Sequence, residues 1–209
     1  MPYIGTQPND VKKNTGLYTP SEILQLTKDG SWGGSLELIE EQTVSSVSSV
    51  NFTSIKEAKY DVHLLQFSNI FASVNSDQPV LRFSNDSGSS FETSNYQYAV
   101  QISGAHGFFG EGKSTSANAI YYILGRGGST AIRKNNSYVY LYNLGNASKY
   151  SFVTIHTSGT DDAGNFLNLF GGGVYTQAET INAIQFIYTS GANISGDVKL
   201  YGVKQIWVT

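Results

Sequence analysis

The string Gly107-Phe108-Phe109-Gly110-Glu111-Gly112-Lys113-Ser114-Thr115 has the spacing GxxxxGK[ST] without adjustment. In a nucleotide-binding loop of this pattern, glycines free backbone N–H groups to wrap phosphate. Lys113 would reach the terminal phosphates and Ser114 would hold magnesium. That chemistry needs a parallel α/β sheet, a long helix directly after the loop, and an apolar strand elsewhere that ends in an acidic magnesium partner. Here the following SANAIYYILG is short, β-branched and aromatic, and no buried-looking strand ends in Asp or Glu. A glycine-rich loop in a β-protein is the expectation. The histidines, His63, His106 and His156, lack the spacing of a metal site. Asp161, Asp162 and Asn165 in TSGTDDAGN carry oxygens that calcium could use, but the spacing matches no known calcium loop, and a solvated turn is expected. There is no G-x-S-x-G elbow for a nucleophilic serine. The sequence therefore assigns no catalytic, cofactor-binding or metal-binding residue.

The tyrosines are the other chemical feature. Tyr138, Tyr140 and Tyr142 recur at period two and share one face of a strand, while Val139 and Leu141 take the other. A strand apolar on one side and aromatic on the other must be covered twice, once by its own core and once by something else. These three residues are the candidate subunit-interface aromatics; a carbohydrate-binding platform is the competing use of the same rings.

The elements that would position them are strands. Apolar alternation marks 35–41, 43–53, 60–68, 80–84, 96–103, 119–124, 137–144, 150–156 and 166–170, with 205–208 as a final edge. From 181 to 203, Ile184, Phe186 and Tyr188, then Val198, Leu200 and Gly202, fall at every second position around the turn Ser-Gly-Ala-Asn-Ile-Ser. That segment reads as an antiparallel hairpin at the seam of a sandwich. About a dozen short strands punctuated by turns such as Ser84-Asn85-Asp86-Ser87-Gly88 predict an all-β fold, an antiparallel β-sandwich of jelly-roll type over 31–209.

Residues 1–30 differ. The stretch 1–16, with two prolines and no sustained periodicity, reads as an extended N-terminal arm, with Tyr3, Ile4, Gln7 and Tyr18 as candidate assembly residues. Thr19-Pro20-Ser21-Glu22 then places a capping hydroxyl, a proline at the first helical position and a glutamate three residues after the cap. One short helix is expected over 20–28, with Gly30 as its stop.

With only 14% charged residues and a formal net charge of -3, the chain gives no electrostatic reason to expect nucleic acid as a partner. The absence of cysteine removes disulfides, zinc–thiolate sites and thiol nucleophiles together. No run approaches the length of a membrane span and the start has no apolar signal segment, so a product made without a signal peptide is expected.

Several stretches resemble structural proteins of tailed bacteriophages, especially those of marine and cyanobacterial phages. MPYIGTQP is similar to the short arm that begins many of their fibre-like proteins. SWGGSLELIEEQTVSSVSSVNFT, VLRFSNDSGSSFETSNYQYAV and GANISGDVKLYGVKQ resemble a strand-and-turn series of their virion proteins, closing in ISG…LYG. The resemblance spans most of the chain and carries scaffold residues only, so it transfers no active-site residue. It implies a non-enzymatic β-sandwich, assembled as a homotrimer in the bacterial host cytoplasm and mounted with other virion proteins on a capsid or tail. A tail fibre or receptor-binding component facing a host glycan or receptor is preferred. Capsid decoration (cement) and a free lectin-like module binding glycan through Tyr-lined loops are the alternatives.

Overall fold

The computed structural model describes residues 19–28, 35–126 and 128–204. Contacts divide the chain into a unit of residues 1–35 and a unit of residues 36–209. In the first, helix α1 spans Pro20–Lys28. The expected capping box closes it: the Thr19 N–H donates to Glu22 Oε2 at 2.6 Å and the Glu22 N–H donates to Thr19 Oγ1 at 3.3 Å. These bonds satisfy N–H groups that a helix start leaves open, and the Thr19 N–H and hydroxyl, both donating to the Glu22 carboxylate, hold it below the usual carboxylate range. The arm residues Tyr3, Ile4, Gln7 and Tyr18, the stop at Gly30 and the edge 205–208 lie outside the described residues.

The second unit has twelve strands: β1 (Leu36–Val47), β2 (Val50–Phe52), β3 (Val62–Ala72), β4 (Pro79–Ser84), β5 (Tyr96–Gly104), β6 (Phe109–Ala117), β7 (Ile120–Tyr121), β8 (Asn135–Tyr142), β9 (Ser151–Thr160), β10 (Phe166–Tyr175), β11 (Ala183–Tyr188) and β12 (Ile194–Val203). They build an eight-stranded sheet in the order β1-β12-β3-β8-β9-β10-β5-β6 and a four-stranded sheet in the order β2-β11-β4-β7. All pairings are antiparallel. The pairs nest, β1 with β12, β2 with β11, β3 with β8 and β4 with β7, and they alternate between the two sheets. That nesting is the jelly roll. Two inserted hairpins, β5–β6 and β9–β10, widen only the larger sheet.

The segment read as a hairpin is corrected. β11 and β12 do not pair with each other: β11 lies between β2 and β4, and β12 lies between β1 and β3. The turn between them carries the chain from one sheet to the other, so Phe186 and Val198 enter the core from opposite layers. Phe186 meets Phe67 of β3 edge-on across that core, with ring centroids 5.0 Å apart. Asp77, itself buried, fixes the crossing. Its carboxylate accepts the N–H groups of Gln78 (2.7 Å), Ser190 (3.1 Å) and Ala192 (3.2 Å) and the Thr189 hydroxyl (3.2 Å). Burial raises the pKa of this acid, and the hydrogen bonds from Ser190, Gln78 and Ala192 outweigh it, leaving the carboxyl below its ordinary range.

Other boundaries also moved. The two strands expected over 35–53 are a twelve-residue β1 and a three-residue β2, divided after Val47. β6 was not foreseen, because its sequence, FGEGKSTSA, has no apolar alternation, and the expected strand 119–124 contracts to the two residues of β7. At Gly173 a Cβ would stand 2.6 Å from Ile120 Cδ1 and 2.7 Å from the Gln97 carbonyl, so a bare backbone lets β7 settle onto β10. Between the sheets lie Leu65, Phe67, Val139, Leu141, Val153, Ile155, Val198 and Leu200 from the larger one, and Val50, Phe52, Leu81, Phe83, Ile184 and Phe186 from the smaller one.

Candidate interaction surface

Strand β9 alternates without a break: Ser151, Val153, Ile155 and Thr157 are buried, while Phe152, Thr154, His156 and Ser158 are exposed. β8 follows the same rule, with Val139 and Leu141 inside and Tyr138, Tyr140 and Tyr142 outside. The four-stranded sheet covers the inner face. The outer face of the eight-stranded sheet carries the tyrosines.

Register places neighbours across that face in rows. One row runs Leu38, Tyr201, Leu64, Tyr140, Thr154, Gly172, Ala99 and Lys113. The next row toward the N-terminal end of β8 runs Glu41, Lys199, Gln66, Tyr138, His156, Phe170, Gln101 and Glu111. On the other side of the first row, Tyr142 is opposite Phe152, which is opposite Val174. The face thus divides along its strands. The half toward Tyr142 is apolar, with Leu36 at 44%, Leu38 at 50% and Phe152 at 47% exposure. The half toward Asn136 is richer in amides and hydroxyls on β3, β8 and β9, with the half-exposed Phe166 and Phe170 beyond them on β10. Its charges stand toward the lateral margins: Lys199 pairs with Glu41 at 2.9 Å, Lys113 pairs with Glu111, and Asp197 accepts the Thr43 hydroxyl at 2.6 Å.

Tyr138, Tyr140 and Tyr142 form the expected ladder, with successive ring centroids 6.2 and 6.4 Å apart. Sequence reasoning missed the residues that join them. The Tyr138 hydroxyl lies 2.5 Å from His156 Nδ1, and His156 Nε2 lies 3.0 Å from Asn168 Oδ1. Because the amide oxygen can only accept, Nε2 is the donor in that bond, and in the neutral ring tautomer this requires, Nδ1 accepts the Tyr138 O–H. Three strands, β8, β9 and β10, are linked by this chain, and the Tyr138 and His156 rings meet edge-on at 5.1 Å. The alternation in 150–156 was the available signal for Phe152 and His156; nothing local marked Asn168.

The other candidate groups fall elsewhere. The GxxxxGK[ST] string forms the β5–β6 turn and strand β6. Lys113 pairs with Glu111 on that strand, and another strand, β7, follows it. His63 is buried under the sheet end, its Nε2 donating to the Ile55 carbonyl at 2.8 Å. His106 stacks on Phe108, with ring centroids 5.9 Å apart. Asp161 organises its own turn: Oδ1 accepts the N–H groups of Asn165 (2.7 Å) and Ala163 (3.0 Å), and Oδ2 accepts Asn165 Nδ2 (2.9 Å). Burial raises its pKa, but the Asn165 and Ala163 bonds outweigh that and hold the carboxyl low. Among the described residues no three or more His, Asp or Glu side chains are grouped to hold a metal, and no helix is long and apolar enough to cross a membrane. Compared with family models, curated proteins and solved structures, the chain matches none of them.

Proposed function

We propose that the chain is a non-enzymatic structural protein of a bacteriophage virion, of tail-fibre or receptor-binding type, attached through residues 1–16. In this reading it forms a homotrimer in which the apolar half of the large sheet's outer face packs against sister copies. The observation that carries the interface is the set of half-exposed apolar side chains, Leu36, Leu38 and Phe152, gathered on one face beside Tyr142. Exposed apolar clusters of this kind mark interaction sites, and tyrosines suit an interface that stays wet at one end. Pairing of the marginal charges favours a neutral partner surface, such as the same face of another copy. The jelly roll is used by virus shells and by sugar-binding modules alike, an association of architecture alone. The arm-like opening and the strand-and-turn series that resemble phage proteins support attachment to a virion.

The test is a chain lacking residues 1–16, supplied in place of the full chain during phage assembly. It is expected to keep the β-sheet circular dichroism and the oligomer of the parent, yet to be missing from purified particles. Particles containing the shortened chain at the parental level would contradict the attachment role.

A further inference from the structure

The polar half of the outer face contains a groove of about 680 Å³ along β3, β8 and β9. Two of its walls are the Tyr138 and Tyr140 rings. Between and beside them stand Gln66, Ser68, Asn136 and Ser158. The Gln66 amide and the hydroxyls of Ser68 and Ser158 make no hydrogen bond within the described residues. Asn136 uses only its oxygen, accepting the Asn69 N–H at 2.9 Å, so its NH2 is also uncommitted. Donors and acceptors therefore point outward from the sheet beside the irregularity in the β3–β8 ladder between Phe67 and Ile70.

The groove is free of formal charge. Both ring nitrogens of His156, which lines it, are engaged, with Tyr138 and with Asn168. The nearest charges in register, Lys199 and Asp197 on β12, are engaged with Glu41 at 2.9 Å and with the Thr43 hydroxyl at 2.6 Å. Flat aromatic faces next to unpaired amides and hydroxyls, without a net charge, match a ligand that has apolar C–H faces and many hydroxyls. Anions find no cation in the groove, and an apolar partner would strand its open amides. A copy of this chain is better served by the apolar half.

We infer that this groove is a binding site for an uncharged saccharide, with Tyr138 and Tyr140 as stacking platforms and Gln66, Asn136, Ser68 and Ser158 as hydroxyl partners. The hydrogen-bonded chain from Tyr138 through His156 to Asn168 sets the platform's orientation before ligand arrives, which reduces the ordering cost of binding. The site lies on the sheet and not on loops, and it borders the apolar half assigned to subunit packing along the row of Leu64 and Tyr140.

Isothermal titration of the full chain with neutral hexasaccharides of glucose, mannose and N-acetylglucosamine, and with a hexamer of galacturonate, tests it. At least one neutral sugar is expected to bind and the galacturonate is not. Tyr138→Ala and Gln66→Ala are each expected to weaken binding about tenfold or more. Phe109→Ala, on edge strand β6, is expected to bind like the parent. Circular dichroism confirms that each variant is folded. Absence of binding by every neutral sugar, preference for the galacturonate, or parental affinity in both folded groove variants would overturn the inference. Light scattering on the same samples separates the two readings: an oligomer that binds no neutral sugar removes the saccharide site alone, whereas sugar binding by a monomer supports the site and removes the interface.

Discussion

His63 is the residue whose surroundings make the sharpest demand on solution conditions. Its ring is buried, Nε2 donates to the Ile55 carbonyl, and Nδ1 has no partner, so a second proton would have no acceptor. Burial pushes the imidazole pKa down, and the Ile55 carbonyl and the carboxylates of Glu57 and Asp61 oppose it only in part. A histidine depressed on folding takes up its proton more readily when the chain is unfolded. Its stabilising effect is therefore complete above the ordinary histidine pKa, about 6.5, and is lost as pH falls below that value. The thermal midpoint should drop between about pH 7 and pH 5, and the drop should flatten in His63→Gln, which keeps a donor for Ile55 without titrating. An unchanged slope in that variant would remove His63 as the source. At this scale the sequence marked His63 as a strand residue, and that placement is correct. Its burial followed from Gly202, the neighbour in register on β12, and from Tyr60, whose ring meets the imidazole edge-on at 5.9 Å.

Among the elements, the crossing from β11 to β12 depends most on a single side chain. Asp77 ties residues 189–192 by three hydrogen bonds and accepts a fourth from the Gln78 N–H, while its own chain leads into β4. Asp77→Asn turns an acceptor-only group toward three backbone donors with an NH2 in place of one oxygen. A loss of about 2 kcal/mol in denaturant unfolding is expected, with the slope against denaturant unchanged. A loss within ~0.5 kcal/mol would mean the crossing is held by packing alone. The strands themselves were largely legible, because Val139 and Leu141, or Val153 and Ile155, betray their shared face by spacing. Their partners were not. Periodicity says which side of a strand is apolar and is silent about the strand next to it, which is why β11 and β12 read as one hairpin although each belongs to a different sheet. β6 escaped for another reason: Gly110, Gly112 and Ser114 leave no alternation to detect, and the strand is fixed by its ladder with β5. The capping box of α1 was fully readable because every group it uses lies within four residues.

For the whole molecule, two inserted hairpins give a jelly roll one sheet much wider than the other, and so an outer face on which Tyr138, Tyr140 and Tyr142 could be foreseen as a ladder. The division of that face into an apolar half and an amide-rich half could not be foreseen, since it arises from the register of β1, β12, β3, β8, β9 and β10. Packing of sister copies through the apolar half is the central claim. Leu38 and Phe152 point outward from their strands, so Leu38→Glu with Phe152→Glu puts charge into the interface and none into the core. Light scattering behind size exclusion is the direct measurement. The parent should run at three times the 22.7 kDa chain mass and the double variant at one chain mass, with the same β-sheet circular dichroism. A parent that remains a single chain at every concentration, or a double variant that keeps the parental mass, would contradict it.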